Sequence, residues 1–405
     1  MNFIRKHLFD ELWEALHRKP QLLQVVLGPR QVGKTTLAKQ VMKQWLGPKI
    51  YETADAPNIP VSEWIEHHWQ RARRESLDSK RTGLLILDEV QKIPGWSEVV
   101  KKLADQDKAK KIRLRVLILG SSALLVQRGL TESLAGRFEL HRHLQWSYKE
   151  CRECFGLSLQ EYFIFGGYPG ALPLRKDTLR WGRYIRDTLI ETVVGKDVLL
   201  MSPVQKPALL RQVFGMACAH PAEILSYQKM IGQLSDAGNT VTIAHYFHLL
   251  AAAFLIAPLS KWSGSHIRQK GSTPKIVLRD ASLVNALMFP ALKRSEIDFA
   301  WMGRLTENAV GAALVALAEQ NGAEIFYWRE RSDEVDYVVR FGKKLLAIEV
   351  KSGKNSFETN GMRLFKKYYP ETQCVLIGNS KPLSLSDSIR YLNLKDFFNN
   401  PSSIL

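Results

Sequence analysis

Two hydrophobic spacings divide this chain. Residues 1–20 carry Phe9, Leu12 and Leu16 at helical intervals, which predicts an amphipathic helix. Mainly apolar runs then take over: Leu22 to Leu27, interrupted only by Gln24, then Leu84 to Leu87, then Arg115 to Leu119, apolar after its first residue. Short runs without polar alternation suit strands buried on both faces. Helix-forming stretches lie between them, at Thr36–Met42 and at Ser62–Ser76, where Trp64, Ile65 and Trp69 share one side. Lys49–Thr53 reads as a further short strand. Strand–helix alternation of this kind predicts an α/β layer built from βαβ units. Residues 151–200 read as mainly helical. Two helices, Ser226–Leu234 and Thr240–Ala253, flank a polar turn, and Leu255–Trp262 and Lys275–Leu278 read as strands. The last hundred residues switch again, to a helix at Thr306–Glu319 and strands at Glu324–Arg329, Glu334–Phe341 and Lys344–Lys351. The domains expected are therefore 1–150, 151–200, 201–295 and 296–405.

The turn after the first buried run is the most informative stretch. Gly28-Pro29-Arg30-Gln31-Val32-Gly33-Lys34-Thr35 has the pattern G-x-x-x-x-G-K-T between a strand and a helix that opens at Thr36. Gly28 and Gly33 let the backbone curl until its N–H groups face an anion. The helix N-terminus favours the same negative charge. Lys34 would reach the β- and γ-phosphates of a nucleotide, and the Thr35 hydroxyl would help hold Mg²⁺. Leu84 to Leu87 ends in Asp88-Glu89, some fifty residues later. That strand would deliver Asp88 beside the phosphate loop to orient Mg²⁺, and Glu89 to polarise the attacking water. The run Arg115–Leu119 ends in Gly120-Ser121-Ser122, where Ser121 or Ser122 would sense the γ-phosphate or simply make a turn. ATP and Mg²⁺ are thus the expected cofactors.

Charge adds a second clue. The chain of 405 residues carries a net charge of +17. Residues 201–295 hold ten basic and only three acidic groups, whereas residues 296–405 balance at fourteen of each. So basic a segment is a candidate polyanion-binding face. Its two helices and two strands suggest a winged helix, and the tip Lys261-Trp262-Ser263-Gly264 through Gly271 suits contact with a phosphate backbone. DNA is the expected partner, and a protein partner stays open. The longest apolar stretch, Tyr246 to Leu259, is too short to span a bilayer. The N-terminus lacks the pattern of a secretory signal, so a soluble cytoplasmic protein without membrane association is expected. Cys151 and Cys154 have C-x-x-C spacing without a second pair, which favours reduced thiols over a zinc ribbon.

Together the phosphate loop, Asp88-Glu89-Val90-Gln91, the Gly120-Ser121-Ser122 strand end and Leu134-Ala135-Gly136-Arg137 resemble the bacterial and archaeal AAA-type ATP-binding proteins related to STAND ATPases. Gly166-Gly167-Tyr168-Pro169 is similar to the G-x-P element such proteins use near the adenine. The resemblance implies a helical lid over residues 151–200, with Pro169 in the nucleotide-binding set. It also implies that Arg137 acts on the nucleotide in cis or from a neighbouring subunit, the latter in a homo-oligomer.

The C-terminal strands carry their own chemistry. Gly342-Lys343 is a two-residue turn with Gly first, which fits a type II′ hairpin. A hairpin centred there sets Asp336 opposite Glu349, with Lys351 on the same face. Two carboxylates and a lysine at the open end of a hairpin resemble the PD-(D/E)xK restriction-endonuclease-like fold, with Glu307 as a further member. The carboxylates Glu307, Asp336 and Glu349 would hold Mg²⁺, and Lys351 would steady the attacking water. The expected fold is therefore α/β: a P-loop AAA-type domain, a helical lid, a winged helix and a nuclease-like domain. The expected function is ATP hydrolysis coupled to DNA association, with DNA cleavage by the last domain left open. The alternative is a nucleotide-driven scaffold or signalling switch whose last domain is inert.

Overall fold

The computed structural model describes residues 3–55, 61–121, 134–201, 204–234, 238–263, 272–289, 298–353, 360–381 and 386–405. The chain divides into two compact units, Met1–Leu144 and Gln145–Leu405.

The first unit holds five parallel strands, three of them the apolar runs: β1 (Leu23–Leu27), β2 (Lys49–Thr53), β3 (Gly83–Asp88), β4 (Leu114–Gly120) and β5 (Phe138–Arg142). Their order is β2-β3-β4-β1-β5. Every residue of β1 and β3 is buried, as unbroken apolar strands require. The helices α1 (Lys6–His17), α2 (Lys34–Gln44), α3 (Ser62–Ser79) and α4 (Trp96–Ala109) cover the sheet. Leu12 and Leu16 of α1 pack with Leu37 and Val41 of α2 against Val26, Ile86 and Leu117. Each such aliphatic side chain contributes about 1.5–3 kcal/mol on burial. Trp69 of α3 is wholly buried, and its indole N–H donates to Asp107 at 2.8 Å. β4 stands between β1 and β3 and holds the phosphate-loop strand one place away from the strand ending in Asp88. β5 is a strand the hydrophobic pattern did not reveal, because its Phe-Glu-Leu-His-Arg sequence is mostly polar.

The second unit opens with two short helices, α5 (Tyr148–Phe155) and α6 (Leu159–Phe165). Ser147 with Glu150, and Ser158 with Glu161, form capping boxes at their starts. A helical run over residues 178–201, α7, contains two π-type segments. Next come α8 (Pro207–Ala219), β6 (Glu223–Ile224), α9 (Tyr227–Ile231), α10 (Thr240–Ala252), β7 (Ile256–Leu259) and β8 (Lys275–Leu278). The three strands make an antiparallel sheet in the order β6-β8-β7. After α11 (Ala281–Met288), the long helix α12 (Phe299–Asn321) leads into β9 (Glu324–Glu330), β10 (Asp333–Phe341) and β11 (Lys344–Lys351). Then follow α13 (Asn360–Tyr368), β12 (Gln373–Gly378), β13 (Ile389–Asn393) and α14 (Leu394–Asn399). The sheet runs β13-β12-β11-β10-β9.

The hairpin register is the one the turn dictates: Tyr337 pairs with Ile348 and Phe341 with Lys344. Gly342 has φ +58, the conformation that the first position of this turn needs.

The three-stranded sheet is not a free-standing wing. Leu259 and Val277 share a core with Val310, Leu314 and Tyr337. Leu278 exchanges two hydrogen bonds with the Asn308 side chain, at 2.8 and 3.0 Å. Arg279 grips Glu319 of α12 with two bonds, at 2.7 and 2.8 Å. Trp262, expected at an exposed basic tip, is buried against Phe326 and Tyr369. The rest of that tip, residues 264–271, lies outside the described residues.

Candidate functional site

The first candidate site is built where β1 and β3 end side by side with β4 between them. After Leu27 the chain must turn into α2 within six residues. Gln31 and Gly33 take positive φ, +60 and +100, to make that turn. A side chain at Gly28 would collide with the His143 carbonyl, 2.0 Å from where its Cβ would stand. Glycine is therefore obligatory there. Beneath the loop the buried His143 ring lies 3.1 Å from the Val32 carbonyl. Burial, with Arg5 and Lys34 nearby, holds its pKa well below the ordinary value, so the ring is neutral.

The Lys34 ammonium donates to the Gly28 and Pro29 carbonyls, at 2.9 and 2.7 Å. Thr35 Oγ1 donates to Asp88 Oδ2 at 2.9 Å. The same carboxylate oxygen accepts from the Tyr51 hydroxyl at 2.6 Å. Burial and the facing carboxylate of Asp88 push the Tyr51 phenol well above its usual pKa, which keeps it a donor. Glu89, at φ +57, leaves the strand end in a left-handed conformation. Its Oε2 accepts from Gln91 Nε2 at 2.6 Å and from Ser121 Oγ at 2.9 Å. A non-glycine residue held in this region stores about 1–3 kcal/mol of strain, and such strain clusters at functional sites.

Lys34, Thr35, Asp88, Glu89 and Ser121 thus converge at the carboxyl ends of β1, β3 and β4. Thr36 follows in the first turn of α2, and Arg30, Gln31 and Val32 form the loop itself. Ser122 lies outside the described residues. Two contributors were missed by sequence reasoning. Tyr51 stands unmarked in the short strand Lys49–Thr53, and Gln91 closes the Asp88-Glu89-Val90-Gln91 stretch with no role assigned to it from sequence. The parallel pairing of Thr53 with Asp88 brings β2 beside β3, and only that pairing carries Tyr51 to the site. The donor set fits a nucleotide with Mg²⁺: a hydroxyl and a carboxylate for the ion, a cation and a helix N-terminus for the phosphates.

Arg137 is placed elsewhere. It immediately precedes β5, and its carbonyl accepts from Leu23 N at the start of β1. The phosphate loop begins at the other end of β1, a separation of about 15 Å along the strand. The guanidinium makes a two-bond pair with Asp105, at 2.9 and 3.1 Å. The expectation that Arg137 acts on the nucleotide of its own chain is therefore corrected, because parallel pairing of β1 and β5 sets Arg137 and the phosphate loop at opposite strand ends.

Pro169 belongs to the second unit. Its preceding glycines have local reasons to be glycine. A Cβ at Gly166 would strike the Asp280 carboxylate, and one at Gly167 the Trp146 carbonyl. Gly167 N donates to Asp280 Oδ2 at 2.7 Å. Burial raises the Asp280 carboxyl to about 6 despite these bonds.

The second candidate site lies on the face of β10 and β11, beside α12. Asp336, Glu349, Lys351 and Glu307 meet around one polar cleft with Glu334 and Arg304. Asp336 Oδ2 accepts from Val350 N at 2.8 Å. The Lys351 ammonium is 3.1 Å from Glu349. Gly311 leaves room for the buried Tyr337 hydroxyl, which donates to the Glu307 carbonyl at 2.8 Å and ties α12 to β10. Sequence reasoning placed Lys275 on a wing strand, yet its ammonium enters this cluster. It stands 2.7 Å from Glu307, 3.1 Å from Glu334 and 3.7 Å from Asp336. Burial alone would lower its pKa, but Glu307 and Asp336 outweigh that and hold it well above the usual lysine value. Burial, with Asp336 adjacent, raises Glu307 to about 7 and Glu349 well above the carboxylate range. A charged lysine at the first position of an otherwise apolar strand, Lys275-Ile276-Val277-Leu278, was the available signal. As a home for Mg²⁺ the cluster does not fit. The Lys275 ammonium already stands among the carboxylates of Glu307, Glu334 and Asp336, Lys351 pairs with Glu349, and among the described residues no group of three or more His, Cys, Asp or Glu is arranged to hold a metal.

Comparison with known proteins bears on each part. Residues 21–152 match the AAA domain family, AAA_14. Residues 156–296 match a domain of unknown function, DUF8612, and residues 302–397 another, DUF4143. An uncharacterized protein of Mycobacterium tuberculosis is 29% identical over 89% of this chain and 76% of its own length. One of Methanocaldococcus jannaschii is 23% identical over 86% and 78%. Among solved structures, a Walker-type ATPase of Pyrococcus abyssi superposes with a TM-score of 0.50 at 14% identity, covering 71% of this chain and 96% of that one. The first unit is an AAA-type P-loop domain. No helix among the described residues is long and apolar enough to cross a membrane.

Proposed function

We propose that this chain is an ATPase that binds ATP with Mg²⁺ in its first unit and couples hydrolysis to association with DNA. The observation that carries the ATPase reading is the shared Asp88 oxygen, held by Thr35 and Tyr51 at the mouth of the phosphate loop. In this reading Lys34 turns from the loop carbonyls to the phosphates, and Asp88 and Thr35 hold the ion. Bound Mg²⁺ would neutralise charge on the phosphate oxygens. Glu89 takes the proton of the attacking water, with Gln91 and Ser121 fixing its carboxylate. Arg137 enters only from a neighbouring subunit of a homo-oligomer. The domains proposed are 1–150, a lid over 151–200, a winged helix over 201–295 and an α/β domain over 296–405.

The excess of basic groups in residues 201–295 supports DNA as the partner. A second reading, a nucleotide-driven switch that grips a protein, has its own support. Helix α10, which a winged helix would use for recognition, contains no Lys or Arg and exposes Val241, His245 and His248. Arg279 and Lys275 are also spent internally, on Glu319 and on the acidic cluster.

One experiment separates the two. ATP hydrolysis and duplex binding are measured against salt, for the wild type and for a chain with Lys261, Arg268 and Lys270 changed to Ala. The DNA reading expects weaker binding and a salt slope reduced by about one per lost phosphate contact. ATPase activity with no salt-sensitive duplex binding in either chain rejects DNA and leaves the protein partner.

A further inference from the structure

The polar cleft of the second unit raises a question independent of the nucleotide reading: what neutralises its carboxylates? We propose that Lys275 is the resident cation of this cluster, an ammonium tethered by its strand in the place a divalent metal would take.

The geometry supports this in three steps. First, the ammonium has three protons and faces three carboxylates, of Glu307, Glu334 and Asp336, at 2.7, 3.1 and 3.7 Å. Glu349, the remaining carboxylate, has its own cation in Lys351 at 3.1 Å. Every carboxylate of the set is thus paired with a lysine. A divalent ion entering between Glu307 and Asp336 would meet the Lys275 charge at contact distance, in a site where repulsion is poorly screened.

Second, Lys275 cannot easily withdraw. It is fully buried and sits in the central strand of its sheet, paired with Ile224 on one side and Leu259 on the other. Three residues on, Leu278 is clamped by both hydrogen bonds of Asn308. Tyr337 closes the site from another side, with the ammonium 5.0 Å from its ring centroid. Moving the side chain means unpairing the strand or leaving it buried without its partners, which is costly.

Third, the carboxylates come from α12 and β10, whereas Lys275 comes from β8. The contact therefore fastens the three-stranded sheet to the C-terminal sheet. The cluster acts as an electrostatic clasp between two parts of the second unit, and the nuclease-like set is not a metal-dependent cleavage centre.

The test counts bound metal in the full-length chain. An Asp88→Asn background removes the expected Mn²⁺ site of the first unit. Free Mn²⁺ is followed by electron paramagnetic resonance, without nucleotide. The expected result is no tight Mn²⁺ with Lys275 present. Lys275→Ala should gain a single ion that raises its melting temperature, and adding Asp336→Asn should remove both gains. Two results overturn the proposal. One is an ion bound with Lys275 in place and lost on Asp336→Asn, which makes the cluster a metal centre. The other is a folded Lys275→Ala chain that binds no ion, which means the ammonium does not stand in a cation position. If Lys275→Ala does not fold, Lys275→Met, closer in volume, carries the same comparison. The count with Lys275 present remains decisive by itself. A parallel plasmid assay with Mg²⁺, Mn²⁺ and ATP should give no cleavage that depends on Asp336.

Discussion

The two candidate sites use nearly the same parts and arrive at opposite states. Each sets acidic residues and lysine at the ends or faces of buried strands. Around Asp88 and Glu89 the partners are neutral: the hydroxyls of Thr35, Tyr51 and Ser121 and the amide of Gln91. Lys34 donates to the Gly28 and Pro29 carbonyls of the loop. Neutral donors orient a carboxylate without cancelling its charge, which is what the proposed Mg²⁺ site requires. Around Glu307, Glu334 and Asp336 the partner is a buried ammonium, which orients and cancels together. The two sites thus differ in the charge of the groups that orient their carboxylates, and residue type alone does not reveal which case holds.

The comparison breaks most sharply at the first site. Lys34→Ala should abolish tight nucleotide binding, measured by equilibrium titration. Glu89→Gln should keep ATP bound while slowing hydrolysis by about 10²–10⁴, the usual worth of a general base. Wild-type turnover in Glu89→Gln would remove the base from the scheme and leave Asp88 as the only acid with a role there.

At the second site, Lys275→Met should destabilise the folded chain by about 3–5 kcal/mol, because it strands buried carboxylates without their cation. Chemical denaturation gives that number. A loss below about 1 kcal/mol would show that the clasp is an ordinary surface-grade ion pair.

Between these lies a pH effect at Asp280. Its carboxyl titrates at about 6 in the folded chain and near 3.8 unfolded. The folded state therefore holds its proton more tightly. The stability this confers is complete below pH 4 and is lost as pH rises through about 6, by roughly 3 kcal/mol at most. Asp280→Asn cannot titrate, so the wild type's advantage over it should shrink across that window. An advantage that stays flat from pH 4 to 7 would mean that the Gly167 and Ser282 bonds, not burial, govern the group.

The smallest effect expected is at Tyr51. Tyr51→Phe removes one hydrogen bond to Asp88 and leaves the Thr35 bond. The loss is about 1.5 kcal/mol, close to tenfold, and should appear as a higher Mg²⁺ requirement for ATP hydrolysis at unchanged melting temperature. A lowered melting temperature with the same Mg²⁺ dependence would make Tyr51 a packing residue only.

How much of this was legible in the sequence follows from the range of the forces involved. The phosphate loop could be read directly because its function is local: Gly28 and Gly33 meet constraints set within a few residues of backbone. The C-terminal register was also readable, since a two-residue turn at Gly342-Lys343 fixes the pairs above it as far as Tyr337 with Ile348. Asp88 and Glu89 could be read because a buried apolar strand must end somewhere polar. What the sequence left open depends on which strand lies next to which. Tyr51 reaches Asp88 only because β2 pairs in parallel with β3. Arg137 stays with Asp105 because the mostly polar segment after it, with no apolar period to announce it, joins the sheet beside β1. Lys275 fills the acidic cluster because packing of α12 on β8 buries a lysine where only carboxylates can compensate its charge. Side-chain chemistry and turn geometry are written along the chain; the partner that neutralises a buried charge is chosen when distant strands pack, and only the tertiary structure decides it.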